Sequence, residues 1–298
     1  LSVEELANKR VRFDRLHAVM PGGVEIHVPD NANLPAVSIA KAFDAGTQGI
    51  TVYLAVPLWG ESRANVIEDP SDSDWRVKRK YLVQEVECPD ENTGENPCAM
   101  RVRKLNARLV LEGADTDDLD LLPVLRVIHG VGEQAGVPRP DPEFIPPSLV
   151  MGGSAALRQM VRGVASLVEA TRKELVSQNV QAGFRIDTMR GPQFEQLLRL
   201  QTISRAAARL PHLVDTPTVT PFSIYLELRG LLGELCVLGV GNEEEFEVPD
   251  YDHDHPSAAF RELYNRIRSM LKGRVRQRFV KVDFERSGNL FTAALEPA

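Results

Sequence analysis

The sequence predicts a mixed α+β fold: an N-terminal antiparallel β-sandwich, then an antiparallel four-helix bundle, and at the end a short hairpin. Three features indicate this order. Apolar residues recur at every second position before residue 150, five prolines interrupt the pattern between residues 138 and 147, and apolar residues then recur with a helical period of about 3.6. The predicted domains are residues 1–150 for the sandwich, 151–275 for the bundle and 276–298 for the start of a truncated C-terminal domain.

The first half of the chain contains short β-type stretches separated by turn residues. Residues 24–28 alternate apolar and polar side chains, as a strand with one buried face does, and the turn residues Pro21, Gly22 and Gly23 join them to a strand at residues 11–19. No helical pattern of crossover length lies between the strands, which favours antiparallel pairing. The further predicted strands are residues 50–58, 75–87, 99–111 and 122–128.

A proline-rich segment separates the two halves. Proline fixes φ and has no backbone N–H to donate, so it is unsuited to the interior of a helix or a sheet. We expect a boundary or a stiff linker here, docked on the sandwich by Phe144 and Ile145. The prolines are Pro138, Pro140, Pro142, Pro146 and Pro147.

Four helices are predicted after Gly153. Ser154 is the expected N-cap of the first, whose apolar stripe runs to Leu175. Pro192 is expected in the first turn of the second helix, and Pro211 is expected to end it.

The third and fourth helices begin with a capping residue followed by proline. Thr220 and Pro221 open the third helix, and Asp254 or His255, followed by Pro256, opens the fourth. This order suits a helix start because the first N–H groups have no partner within the helix. Four helices with short connections predict a bundle.

The third helix is unusual because residues 222–238 are apolar on nearly every side. A bundle helix normally buries one stripe, so we expect this helix to be central and to have apolar surface left for contact with another chain. The oligomer-interface candidates are Phe222, Tyr225, Leu228, Leu232 and Leu235.

Composition and charge exclude several classes of partner. A net charge of −7 disfavours generic binding to nucleic acid or to anionic lipid. The longest apolar runs are far shorter than a membrane span, so no membrane insertion is expected. Cys88, Cys98 and Cys236 are too few for a disulfide-stapled scaffold, and although Cys88 and Cys98 flank a turn-rich stretch, free thiols are expected.

The strongest metal-binding candidate is the segment Tyr251–His255, in which His253 and His255 alternate with carboxylates. Zinc sites need further ligands from elsewhere, and the remaining histidines, including His17 and His27, show no ligand-like spacing. We therefore expect a polar segment before a helix and no bound metal.

No catalytic motif is present. The chain has no G-x-S-x-G, no H-E-x-x-H and no glycine-rich loop with Gly-Lys-Ser/Thr. Gly130, Gly132 and Gly136 follow an apolar strand as in a dinucleotide-binding loop, but prolines follow where that loop needs a helix. We expect a structural protein with no catalytic site and no cofactor.

Four stretches resemble the TssK family of bacterial type VI secretion, in the family's order. Residues 13–30 resemble its R-L-R-x-x-M-P-D-G hairpin, and residues 141–149 its F-I-P-P-x-L linker. Residues 210–228 match the pattern around D-T-P-x-x-x-P-x-x-x-Y-L-E-L, and residues 248–260 match P-x-Y-D-H-D-x-x-x-x-A-F. The family's N-terminal W-x-E-G-x-x-L-x-P-Q-H-F segment is absent.

The resemblance implies a β-rich shoulder, a helical neck and a C-terminal head of which only the first hairpin is present. It implies a homotrimer that connects the baseplate wedge, formed by TssF/TssG-like subunits, to the inner-membrane complex through the missing head. The implied location is the cytoplasm, at the inner face of the bacterial inner membrane.

Two other functional classes remain open from the sequence. A sandwich on a trimeric stalk also suits a phage-like receptor- or carbohydrate-binding module. A metal-dependent hydrolase would use His253 and His255.

Overall fold

A computed structural model describes residues 1–46, 48–68, 78–130, 136–181, 191–216, 218–238, 246–272, 285–287 and 290–292. The fold is mixed α+β, as predicted, with several small sheets and a set of long helices. The chain divides into two compact units. The first contains residues 1–157 and 251–258, and the second contains residues 158–250 and 259–298.

The described residues of the first unit form two short helices and eleven strands. The helices are α1 (Val3–Ala7) and α2 (Ala40–Asp44). The strands are β1 (Arg10–Val11), β2 (Leu16–Val19), β3 (Glu25–Val28), β4 (Val37–Ser38), β5 (Ile50–Pro57), β6 (Val66–Ile67), β7 (Tyr81–Cys88), β8 (Cys98–Leu105), β9 (Arg108–Leu111), β10 (Leu119–His129) and β11 (Pro138–Pro140). A single 3-10 turn at Met151–Gly153 precedes the long helices.

The largest sheet has the strand order β11-β10-β5-β9, and all its pairs are antiparallel. The register between β10 and β5 shifts between Pro123 and Leu125, because proline cannot donate to the ladder. Both faces of β5 are apolar: Val52 and Leu54 enter the main core, while Ala55 belongs to a second cluster on the opposite face. This sheet is therefore covered on both sides where β5 lies.

Two further hairpins belong to this unit: β2–β3 precedes the strands of the sheet in the sequence, and β7–β8 lies between β5 and β9. Strands β2 and β3 pair with Leu16 opposite Val28 and Val19 opposite Glu25. Strands β7 and β8 pair along their whole length, from Tyr81 opposite Leu105 to Cys88 opposite Cys98. Strand β6 joins β7 in parallel, so the prediction of purely antiparallel pairing is wrong at this edge.

Several predicted elements of the first half need correction. The chain forms α1 and α2 where only strands and turns were expected, because Leu6 and Phe43 bury one face of each short helix. The strand expected at residues 11–19 is two strands, and the strand expected at 99–111 is divided at Asn106, whose amide donates to the Arg79 carbonyl. Residues 75–77 lie outside the described residues.

The proline segment is also not purely a linker. Pro138–Pro140 form β11 at the edge of the sheet, paired with the end of β10. Proline is tolerated there because an edge strand leaves one row of N–H positions without a ladder partner.

The second unit is built from α3 (Ala155–Gln181), α4 (Pro192–Asp215), α5 (Pro221–Leu238) and α6 (Ser257–Lys272), the first and last of which begin in the first unit. Ser154 caps α3 as predicted, since its Oγ accepts the Leu157 N–H at 3.1 Å. Thr220 caps α5 in the same way, with its Oγ1 3.2 Å from the Ser223 nitrogen.

The predicted end of the second helix at Pro211 is wrong, since α4 continues to Asp215. Proline removes one N–H from the helix, and its ring crowds the carbonyl four residues earlier. Leu210 and Val214 are both buried on either side of it, and this packing outweighs the one missing hydrogen bond.

The four long helices contact one another through specific side chains. Arg209 of α4 pairs with Glu227 of α5 at 2.8 Å, and Arg205 pairs with Glu234, so the two helices run antiparallel. The Arg199 guanidinium donates to the Met270 carbonyl of α6 at 3.0 Å.

Two further contacts join the helices. Gln196 of α4 donates to Gln178 of α3 at 3.2 Å. A Cβ added at Gly163 of α3 would lie 3.6 Å from the Tyr264 side chain of α6. Every long helix therefore contacts at least two others.

The predicted terminal hairpin is present as β12 (Glu285–Ser287) paired antiparallel with β13 (Leu290–Thr292). Residues 279–284 alternate apolar and polar side chains, which predicts the first strand of this hairpin there, but they lie outside the described residues.

Candidate assembly interface

Helix α5 has one face in the core of its own unit. Ile224 and Leu228 are fully buried, and Tyr225, Leu232 and Leu235 are at most 4% exposed. The Tyr225 ring lies edge-on to Phe260 of α6, with 6.4 Å between ring centroids. This face holds the helix against its neighbours.

The opposite face of α5 is apolar and exposed. We call the residues along it the outer stripe: Phe222, Leu226, Gly230, Gly233 and Val237. Phe222 is 47% exposed, Leu226 51% and Val237 81%. A groove of about 450 Å³ lies between this stripe and Phe246. Contiguous apolar surface of this kind usually marks a contact with another protein.

Arg229 fixes the segment that borders the groove. Its guanidinium donates to the Val248 carbonyl at 3.3 Å and to the Tyr225 hydroxyl at 3.1 Å, and lies 5.6 Å from the centre of the Phe246 ring. The Tyr225 hydroxyl in turn donates to the Pro249 carbonyl at 3.1 Å. The wall of the groove is thus tied to α5 by the side chains of α5 itself.

Gly233 makes room for Phe246, which forms that wall of the groove. A Cβ added at Gly233 would lie 3.1 Å from Cε2 of Phe246, which is closer than an ordinary contact. The ring therefore packs on the helix backbone at this position.

The five interface candidates from the sequence divide between the two faces. Phe222 lies on the outer stripe, whereas Tyr225, Leu228, Leu232 and Leu235 lie in the chain's own core. Their burial follows from the helical period, which turns these four positions toward α4 and α6. The role of Phe222 at an interface stays a prediction, and Leu226 and Val237 are the exposed residues that the sequence did not single out.

The metal candidate at residues 251–255 is a turn in which each imidazole has its own partner. His253 Nδ1 lies 3.0 Å from the Tyr251 hydroxyl, and His255 Nδ1 lies 3.1 Å from Asp252 Oδ2. The Asp254 N–H and the His255 imidazole hold the pKa of Asp252 below its usual value. The carboxylate of Asp252 accepts the Asp254 N–H at 2.9 Å in the turn before α6.

This turn is anchored to the proline segment within the first unit. Ser257 Oγ accepts the Ile145 N–H at 2.9 Å and donates to the Ile145 carbonyl at 3.2 Å. Ile145 is 1% exposed. Two of the family-like stretches, residues 141–149 and 248–260, therefore meet at one pair of hydrogen bonds.

The structure brings together a group that the sequence reasoning dismissed. His17 and His27 are directly opposite in the β2–β3 register, and both imidazoles contact Glu25. Within the described ranges, this is the group of three His, Cys, Asp or Glu side chains whose ligand atoms converge. Counting outward from the Pro21–Gly23 turn pairs residue 17 with residue 27, so the signal was present in the sequence.

The other candidates fall as follows. Cys88 and Cys98 are opposite one another at the end of β7 and β8, and both are free thiols, as is Cys236. Residues 131–135, which belong to the segment compared with a dinucleotide-binding loop, lie outside the described residues. Searching the described helices finds none that is long and apolar enough to cross a membrane.

Comparison with known proteins matches the whole chain to one family. The sequence model of a family described as bacterial type VI secretion (EvfL, ImpJ, VasE) matches residues 1–298. The chain is also similar to the type VI secretion system baseplate component TssK1 of Pseudomonas aeruginosa, with 24% identity over 254 residues. The chain belongs to the TssK family.

The alignment with TssK1 covers 85% of this chain and 54% of TssK1, so the chain spans about half the length of the curated relative it matches. A solved baseplate complex of the type VI secretion system superposes with a TM-score of 0.77 at 24% identity, over 91% of this chain and 84% of that chain. A crystal structure of TssK gives 0.76 at 22% identity, over 99% of this chain and 64% of that one. These likenesses show a shared TssK fold.

Proposed function

We propose that the chain is a structural, non-enzymatic subunit of a type VI secretion baseplate that connects the baseplate wedge to the membrane complex. Membership of the TssK family supports this, since a relative is named as a baseplate component. A solved relative is a TssK-TssF-TssG baseplate subcomplex, similar to this chain with a TM-score of 0.74 at 23% identity over 91% of this chain and 84% of that chain. TssF- and TssG-like proteins are therefore the proposed wedge partners.

The proposed architecture is a sandwich shoulder at residues 1–150, a four-helix neck at residues 151–275 and the start of a head at residues 276–298. The contacts among α3, α4, α5 and α6 support the bundle, and the two-sided apolar packing of β5 supports the sandwich. The proposed location is the cytoplasmic face of the inner membrane, where the head would reach the membrane complex.

The observation that carries the proposal is the outer stripe of α5. Its members are separated by four, four, three and four residues, which keeps them on one side of the helix. Apolar residues at steps of three and four along one side of a helix are the pattern with which like helices pack along a seam. We therefore assign the outer stripe to contact with two further copies of this chain in a closed trimer, in which each copy presents the same residues.

The two charged side chains among the described residues that line the groove already have partners within the chain. Arg229 is already hydrogen-bonded within the chain, and Glu234 is paired with Arg205 of α4. Burying an unpaired charge is strongly unfavourable, so a surface whose charges are paired beforehand is easier to bury.

Glycine allows a close approach on the same surface. A Cβ added at Gly230 would meet nothing within 4 Å, so the backbone there lies open. A neighbouring helix can approach the backbone more closely at such a position than where a side chain intervenes.

The test is co-purification of the tagged chain with the TssF- and TssG-like proteins encoded in the same gene cluster, using wild type, Val237→Asp and Val180→Asp. Val237 and Val180 are both exposed valines, at 81% and 76%, and each is the penultimate residue of a long helix. We expect wild type and Val180→Asp to retain the baseplate proteins. We expect Val237→Asp to retain at most a tenth as much.

Recovery of no baseplate protein by wild type would contradict the proposal. Equal retention by Val180→Asp and Val237→Asp would contradict the role of the outer stripe. A carbohydrate-binding module, the alternative class, would bind a glycan array and retain none of the baseplate proteins.

A further inference from the structure

The β2–β3 hairpin presents three side chains with metal-binding atoms on its outer face. In the register of the hairpin, His17 is directly opposite His27, and Glu25 lies two residues before His27 on the same strand. Side chains alternate between the faces of a strand, so these three share one side. The alternate residues Leu16 and Ile26 pack in the core.

The three ligand atoms converge on one point. Nε2 of His17 and Nε2 of His27 each lie 2.9 Å from Oε1 of Glu25, and all three ligand atoms lie within 4.8 Å of one another. The imidazole rings are stacked, with centroids 3.8 Å apart and an angle of 28° between their planes. Each of the two stacked rings thus directs its own Nε2 toward the same carboxylate oxygen of Glu25.

The separations suit a small ion after a minor adjustment. A tetrahedral Zn²⁺ ion with ligands at about 2.0–2.1 Å requires ligand atoms roughly 3.3 Å apart. The two nitrogen–oxygen pairs here are each 2.9 Å apart, so each of these two pairs must open by roughly 0.4 Å. The three side chains are 60%, 59% and 39% exposed for His17, Glu25 and His27, which leaves them free to make that change.

The backbone beneath the site is held by one side chain. The Asn31 amide oxygen accepts the His27 N–H at 2.7 Å, and its nitrogen donates to the Glu25 carbonyl at 2.9 Å. The Asn31 N–H donates to the His27 carbonyl at 2.9 Å. Two of the three side chains therefore project from a strand that Asn31 fixes in place, as a preorganised site requires.

We propose that His17, Glu25 and His27 form a surface site for one divalent transition-metal ion, bound by two imidazole nitrogens and one carboxylate oxygen. Imidazole suits Zn²⁺, Cu²⁺ and Ni²⁺, whereas Ca²⁺ and Mg²⁺ take oxygen ligands. Three protein ligands leave at least one coordination position for water or for a ligand from another molecule. The affinity order follows the general series, with Cu²⁺ above Zn²⁺.

The test is isothermal titration calorimetry of the untagged chain with ZnCl₂ after treatment with EDTA. We expect one ion per chain, and we expect His17→Gln and His27→Gln each to weaken binding by at least tenfold, since even indirect supports of a metal site cost 10- to 100-fold when removed. The matched control is the double variant His253→Gln/His255→Gln, which we expect to bind as wild type does.

Electron paramagnetic resonance of the Cu²⁺-loaded wild type tests the site without a mutation. We expect coupling to two imidazole nitrogens. Absence of Zn²⁺ binding at 100-fold excess over protein, or binding unchanged in both His17→Gln and His27→Gln, would overturn the proposal. In either case the two imidazoles serve only as hydrogen-bond partners of Glu25.

Discussion

Replacement of Leu228 and of Leu226 by alanine separates the two faces of α5. Leu228 is fully buried and Leu226 is 51% exposed, although they are two residues apart on one helix. Truncating a fully buried leucine costs about 2–5 kcal/mol of unfolding free energy, because contacts are lost and a cavity remains. A surface replacement usually changes that energy by less than about 0.5 kcal/mol.

The difference is measurable by urea unfolding followed by far-UV circular dichroism, which reports on the long helices. With a slope of about 2 kcal/mol per molar urea, Leu228→Ala lowers the midpoint by roughly 1–2.5 M. Leu226→Ala shifts it by roughly 0.3 M or less at a protein concentration at which light scattering gives the mass of one chain. Equal losses for the two variants would refute the assignment of Leu228 to the core and of Leu226 to the outer surface.

Two further predictions concern the first unit. Ser257→Ala leaves the backbone N–H of Ile145 without its partner and lowers the unfolding free energy by about 1–3 kcal/mol. Ser269 is exposed on the same helix, and Ser269→Ala changes that energy by less than about 0.5 kcal/mol in the same urea experiment. Equal effects of the two substitutions would contradict the anchoring role of Ser257. Cys88 and Cys98 are opposite one another, so we expect mild oxidation with diamide to form one intramolecular disulfide between them. Mass spectrometry would detect it as a loss of two hydrogens. Separate modification of the two thiols under those conditions would contradict the register.

The capping rules for helix N-termini correctly predicted where α3 and α5 begin. Ser154 and Thr220 cap their helices because a hydroxyl satisfies an N–H that has no partner in the first turn. The rule failed at Pro211, because the loss of one hydrogen bond is smaller than the packing of Leu210 and Val214. Helix propensity is a property of a single residue, whereas the packing of Leu210 and Val214 depends on which other helices lie beside α4.

Which face of α5 is buried and which is exposed could not be predicted from the sequence alone. A helix that is apolar all round has no polar side to mark its exposed surface. The positions of α4 and α6 decide that Leu228 is internal and Val237 external, and those positions depend on contacts distant in the sequence.

The β-rich half shows a similar limit. The existence of strands was predictable from alternation, but pairing beyond a hairpin was not, since no local pattern indicates that β6 joins β7 in parallel. The pairing of His17 with His27 was within reach, since a hairpin turn sets the register of the residues on either side.

The most direct test of the assembly account is the mass of the chain in solution by light scattering across protein concentration. Three chains of 33.1 kDa give about 99 kDa. The account predicts that mass, or a monomer–trimer equilibrium approaching it, for wild type and for Val180→Asp, and a monomer for Val237→Asp at the same concentrations. A strictly monomeric or dimeric wild type at every concentration would contradict it.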